Sequence, residues 1–261
     1  MKILYFGDIV GKVGRRGITK VLPELRKKYQ PDFVIANAEN MAHGTGITPS
    51  TMKEMEGAGV DFFTSGNDVF HKPSGLEILA EIPPRILRPH NFPDSKPGTG
   101  VKEIDVDGKK LLVINIQGQV FMKDEVENPF LTIDKLLLQY APKNYEAIFV
   151  DFHAEATSEM IAMGWHLDGR ASAVVGTHTH VPTADGRILP DGTAYITDVG
   201  MNGSKDSIIG ASKDAALKRF LGDGGRLEYD ESGLCSINAI ILETDERKAS
   251  SFEQIQMTVE V

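Results

Sequence analysis

With 261 residues, 41% of them hydrophobic and 25% charged, the chain has the composition of a globular protein able to bury a substantial core. A net charge of −9 without a basic block argues against nonspecific binding to a nucleic-acid backbone, and the lone Cys235 excludes both an intramolecular disulfide and a cysteine-rich zinc site. No apolar run approaches the ~20 residues that span a bilayer, so the expectation is a cytoplasmic protein of one domain over residues 1–261, with a homo-oligomer left open.

The N-terminus opens on a buried strand, ILYF (3–6), and reaches Asp8 too early for a secretory signal. Ile18, Val21, Leu22 and Leu25 give a helical period over Arg15–Tyr29, with Pro23 predicting a departure from straightness. FVIANAEN (33–40) reads as a second strand. Thr48-Pro49 pairs an N-cap with proline at the first helical position and opens a helix to about Ala58. DFFTSGN (61–67) reads as a third strand, and this β-α-β-α-β order predicts a parallel sheet. After an irregular, Pro/Gly-rich stretch at 88–100, VKEIDVDGKKLLVINIQG (101–118) reads as a hairpin turning at Asp107-Gly108. A helix over Pro129–Tyr140, a strand at 147–153, a helix near Ser158–Met163 and a strand at 172–180 restore the alternation. A strand at 194–200, a helix near Asp214–Phe220 and two strands at 234–243 and 252–261 complete an α/β fold with two mixed sheets.

Polar clusters follow five of these strands: Gly7-Asp8, Glu39-Asn40, Gly66-Asn67-Asp68, Asp151-Phe152-His153 and Gly176-Thr177-His178-Thr179-His180. Open α/β sheets place ligands beyond the carboxyl ends of their strands, so parallel strands would bring all five to one rim. Each cluster alone has a structural reading, as turn chemistry or as a hydrogen-bonded histidine. His178 and His180, two apart on a segment read as extended, face one way and can meet one metal site. Imidazoles, carboxylates and amide oxygens without thiolate suit iron, manganese or zinc, and their number suits two ions ~3.5–4 Å apart.

In KILYFGDIVGKVGRRGI, FVIANAENMAHGTGIT, DFFTSGND, FVDFHAEATSE, VVGTHTHVPTAD and AYITDVGM the chain resembles the calcineurin-like metallophosphoesterases, most closely the YmdB-type branch of bacterial phosphodiesterases. The resemblance implies a four-layer αββα sandwich with a di-metal site. Asp8, Glu39, Asn40 and His180 would hold one ion, and Glu39, Asn67, His153 and His178 the other, with iron or manganese as the metal. It also implies hydrolysis of a small phosphodiester, 2′,3′-cyclic nucleotides above all, by a metal-bridging hydroxide. Val10 stands where the wider superfamily has a histidine, and Asn40 would supply that contact.

One position departs from the family pattern. The branch motif is Gly-Asn-His, its histidine the expected proton donor, whereas this chain has Gly66-Asn67-Asp68. An ordinary aspartate, with a pKa of about 3.9 that nearby cations would lower, is a poor general acid at neutral pH. Asp68 would then be an extra ligand, or His71 or His43 would donate the proton, or the chain would be a metal- or nucleotide-binding regulatory protein with weak catalysis. An amidohydrolase-like metal enzyme, which also uses a His-x-His pair, is the rival class, but it would carry that pair on its first strand.

Overall fold

The computed structural model describes residues 1–140 and 143–261 and contains two six-stranded sheets stacked face to face between helices. The first begins with β1 (Lys2–Phe6), α1 (Gly11–Tyr29), β2 (Phe33–Asn37), α2 (Pro49–Ala58), β3 (Phe62–Thr64) and α3 (Pro73–Leu79), the three strands parallel. The second is built from β4 (Val101–Val106), β5 (Lys109–Gln117), α4 (Pro129–Tyr140), β6 (Ala147–His153), α5 (Thr157–His166), β7 (Ala173–Thr177), β8 (Arg187–Ile188) and β9 (Ala194–Ile196). Its order is β4-β5-β6-β7-β9-β8, parallel from β5 to β9 and antiparallel at both edges. The chain then returns through β10 (Gly203–Ser204), a small ribbon of β11 (Ser207–Ile208) and β12 (Ala211–Ser212), and α6 (Lys213–Phe220). The long antiparallel β13 (Leu234–Asp245) and β14 (Lys248–Glu260) close the first sheet beside β1.

The two-residue period of the strands creates the layers. Leu4 and Phe6 of β1 pack with Val13, Ile18 and Leu22 of α1, whereas Ile3 and Tyr5 point the other way, to Leu111, Val113 and Phe149 of the second sheet. Leu112, Ile114 and Ile116 of β5 turn outward again onto α4 and α5. Both sheets are thus covered on both faces, which is why their central strands read as continuous apolar runs. The result is the expected αββα sandwich.

Local signals account for several boundaries. Thr48 caps α2 by accepting from the Thr51 amide, and Pro49 occupies the first turn. Asp107 and Gly108 both have positive φ, as the tight turn between β4 and β5 requires. α1 runs without a break through Pro23 and starts at Gly11, earlier than expected. Four strands stop short of their expected ends, at Asn37, Thr64, Thr177 and Ile196, because the polar residues that follow leave the ladder and turn over the rim. Asn67–His71 forms a 3₁₀ turn instead of extending β3. Among the described residues no helix is long and apolar enough to cross a membrane.

Candidate metal centre

Five strand ends meet where the parallel strands of the two sheets stop. Asp8 follows β1 in a turn held by Asn202, whose amide nitrogen donates to the Asp8 carbonyl at 2.7 Å and whose side chain donates to the Gly7 carbonyl at 2.9 Å. Beyond β2, Asn37 Oδ1 accepts from the Glu39 amide at 3.1 Å and folds the chain back. Beyond β3, the Ser65 amide donates across the sheets to Asn115 Oδ1 at 3.0 Å. His153 ends β6, and His178 to His180 follow β7.

Glu39, His153 and His178 come together, with ligand atoms all within 4.8 Å of one another. Glu39 Oε1 lies 3.2 Å from His153 Nε2, which lies 3.1 Å from His178 Nδ1. Gly66 makes this approach possible: a Cβ there would fall 2.1 Å from His153 Nε2 and 2.3 Å from Glu39 Oε2. The other expected ligands surround this triad. Asp8 Oδ2 accepts from the His178 amide at 3.3 Å, while Asp8 Oδ1 and Asn67 Oδ1 are buried acceptors without a hydrogen-bond partner among the described residues. His180 Nε2 faces Asn40 Oδ1 at 3.2 Å.

The neighbours of these rings fix their tautomers. The Thr177 hydroxyl donates to Asp151 Oδ1 at 2.8 Å, so its oxygen is left to accept from His153 Nδ1 at 2.9 Å. His153 Nε2 is thereby turned toward Glu39. Asp151 itself is buried and accepts from Tyr5 at 2.7 Å and from Asn37 at 3.2 Å. His178 Nε2 lies 3.1 Å from Glu155 Oε2, and His180 Nδ1 lies 2.8 Å from the Ile209 carbonyl, which can only accept. Asn40 uses its Nδ2 on the Gly44 carbonyl and on Asp68. Lone pairs of His180 Nε2 and Asn40 Oδ1 therefore point at each other, an arrangement that a cation between them would turn from repulsive to attractive. These donors fit a borderline divalent transition metal.

The charges tell the same story. Burial raises Asp8 to about 7 against the opposing pull of His153. Burial would lower His153, but the Glu39 charge and hydrogen bond outweigh it and hold the imidazole at about 9. Burial likewise opposes ionisation of Glu39, yet His153 brings it down to about 2. Burial and the charge of His153 push His178 down to about 4. Asp198, raised by burial to about 7, accepts from the Thr179 amide and hydroxyl and so holds the bend between the two histidines.

One expectation changes here. His178 and His180 are not extended: their φ angles are 110° and 67°, and they send their rings to different partners, His178 to the triad and His180 to Asn40. Without a metal ion, the Asp68 carboxyl is raised above the usual aspartate range by burial and by the charge of Glu39, with His71 opposing. Asp68 lies deep in the site. Its amide donates to Glu39 Oε2 at 3.1 Å and its carboxylate accepts from Asn40 and Asn67, each at 3.3 Å. His71 is exposed and turned toward Asp68, its Nδ1 3.3 Å from Asp68 Oδ1, and it does not line the cavity. His43 is exposed on the loop after Asn40.

Above the cluster opens a cavity of about 700 Å³. Glu39, Asn40, Asp68, His178 and His180 line its floor, and Arg219, Phe220 and Tyr229 stand on one wall. Sequence reasoning did not select Glu155, Asp198 or this wall. The short spacing of Asp151, His153 and Glu155 was the one visible clue to Glu155, whereas no motif marks the wall residues.

Comparison with known proteins gives one consistent answer. The family described as YmdB-like protein matches residues 4–255. A 2′,3′-cyclic-nucleotide 2′-phosphodiesterase of Bacillus subtilis is 44% identical over 257 residues, covering 98% of this chain and 96% of the relative. The crystal structure of a hypothetical protein from Thermus thermophilus has a TM-score of 0.92 at 37% identity and covers 99% of both chains. The structure of a phosphatase from Mycoplasma pneumoniae also has a TM-score of 0.92, at 34% identity, covering all of this chain and 94% of the other.

Proposed function

This chain belongs to the YmdB-like protein family, and from that premise we propose a metal-dependent phosphoesterase that holds two transition-metal ions, iron or manganese, and acts on phosphodiesters such as 2′,3′-cyclic nucleotides. The observation that carries this reading is the set of unpaired acceptors: Asp8 Oδ1 and Asn67 Oδ1 beside the triad, and His180 Nε2 against Asn40 Oδ1 at 3.2 Å. Asp8, Glu39, Asn40 and His180 would hold one ion and Glu39, Asn67, His153 and His178 the other. Bound there, the ions supply Lewis acidity toward phosphoryl oxygens and lower the pKa of water for in-line attack. The chain supplies the frame. Glu39 would be shared between the two positions, while Thr177 keeps a proton on His153 Nδ1 and Glu155 keeps one on His178 Nε2. The floor is anionic on its own, so the ions also reverse its charge toward a phosphate.

Asp68 favours a second reading on the same scaffold. It stands at the position of the family's proton donor, with its carboxylate turned to Asn40 and Asn67. The protein would then chiefly bind metal and nucleotide as a regulator and turn over poor leaving groups slowly. Kinetics of the Mn²⁺-loaded protein and of Asp68→His, each with 2′,3′-cyclic AMP and bis(p-nitrophenyl) phosphate, separate the two. Cleavage of the activated diester by both proteins, with the cyclic nucleotide cleaved only by Asp68→His, supports an intact site lacking its acid. Efficient cleavage of the cyclic nucleotide by the unaltered protein removes the second reading. No cleavage of either diester by either protein overturns the first.

A further inference from the structure

The cavity has two walls of different chemistry, and phosphate chemistry accounts for only one of them. Carboxylates and imidazoles make up the floor. Tyr229 and Phe220 also line the cavity, with Arg219, Phe220's neighbour at the end of α6, and with Ile208 and Ile209. Attack on phosphorus requires none of these residues.

Tyr229 is held in place from two sides. Its backbone forms an isolated antiparallel bridge with Ala211 of β12. Its ring lies against Gly44, whose φ is +79° and where a Cβ would fall 2.0 Å from Tyr229 Cζ. Gly44 in turn accepts from the side chain of Asn40, so the ring is set at a fixed distance from the cluster that faces His180. Such an absence of side chain lets the main chain press against an aromatic face. Phe220 is the opposite case, 81% exposed although it lines the cavity. Exposed at the mouth of a polar cavity, the ring leaves apolar surface for a ligand to cover.

We infer that Tyr229 and Phe220, with the Arg219 guanidinium, form a subsite for the nucleobase of a nucleoside phosphate whose phosphate reaches the floor; this rests on the phosphoesterase reading. A cavity of about 700 Å³ has room for more than a phosphate. Aromatic faces and a guanidinium plane stack on any base, because every base presents a π-face. The subsite therefore recognises that a base is present and discriminates weakly among the four.

Calorimetric titration of the Mn²⁺-loaded protein with adenosine 5′-monophosphate and with 1-O-methyl ribofuranoside 5-phosphate tests this, since the second ligand carries a methoxy group in place of the base. The nucleotide is expected to bind roughly tenfold tighter or more. Phe220→Ala, an exposed substitution that leaves the core intact, and Tyr229→Ala should each remove about tenfold from nucleotide binding and leave the methyl ribofuranoside phosphate within about twofold, while Tyr229→Phe retains the preference. Equal binding of the two ligands by the unaltered protein, or equal weakening of both in the variants, overturns the subsite and leaves the phosphoesterase reading standing. Binding of neither ligand overturns both.

Discussion

The floor of the cavity and its rim at His71 are built on different terms. On the floor, Glu39 and His153 are buried and each histidine has its second nitrogen engaged, by Thr177, Glu155 or the Ile209 carbonyl. On the rim, the His71 side chain is 58% exposed, with its Nδ1 turned to Asp68. Rings whose second nitrogen is already held need little movement to meet a metal, His153 giving up only its Nε2 proton, whereas an exposed side chain has many rotamers to lose before it can deliver a proton. On the proposed function, holding a phosphate and protonating its leaving group would be separable tasks, resting on regions of unequal rigidity.

The contrast breaks if the floor proves tolerant. Gly66→Ala, which drives a methyl group into His153 and Glu39, should weaken Mn²⁺ binding by at least ~100-fold in calorimetry, at the upper end of what supporting residues contribute, with unchanged circular dichroism. Retained affinity would mean that these side chains do not grip the ion. Asp68→His should raise cyclic-nucleotide turnover by up to ~10²–10⁴-fold, the usual worth of a general acid, while cleavage of the nitrophenyl diester changes little. Asp151→Asn puts a donor where Asp151 now accepts from Thr177, Tyr5 and Asn37, and should lower metal affinity by ~10–100-fold.

Smaller effects sharpen it. The raised pKa of His153, about 9, means that its imidazolium competes with a metal ion at neutral pH, whereas His178, at about 4, is already deprotonated. Metal uptake near pH 7 should therefore release roughly one proton from this pair and about half of one more from Asp8, raised to about 7, and affinity should climb as pH rises toward 9. Titrations in buffers of different ionisation enthalpy measure that release; a value of only about half a proton would show that His153 is neutral before the ion arrives. His71→Ala should change turnover by less than about threefold, and a loss approaching the ~10²-fold of a general acid would move the donor to the rim.

The architecture was legible because strands covered on both faces leave unbroken apolar runs, as in LLVIN of β5, and because caps such as Thr48-Pro49 announce their helix. The ends of strands were harder. Asn37, Glu39 and Asn40 look like more strand until Asn37 Oδ1 captures the Glu39 amide, a side-chain choice that periodicity cannot register. The same holds for His178 and His180, which reach their partners through positive φ rather than through an extended run. Tyr229 and Gly44 lie far apart in sequence with no motif between them, so the wall they form exists only once the chain is folded.

The triad draws Glu39 from the turn after β2 in one sheet, and His153 and His178 from β6 and the turn after β7 in the other. An ion gripped by all three would be a cross-link between the layers, joining chain segments more than a hundred residues apart in sequence. It would belong to the native state alone, because no unfolded chain holds those three atoms together. Mass action then adds about 2.7 kcal/mol of stability when free metal stands at a hundred times its dissociation constant. A chelator should act on this protein much as a reductant acts on a disulfide, lowering the melting temperature by cutting a bond between layers rather than by disturbing either one.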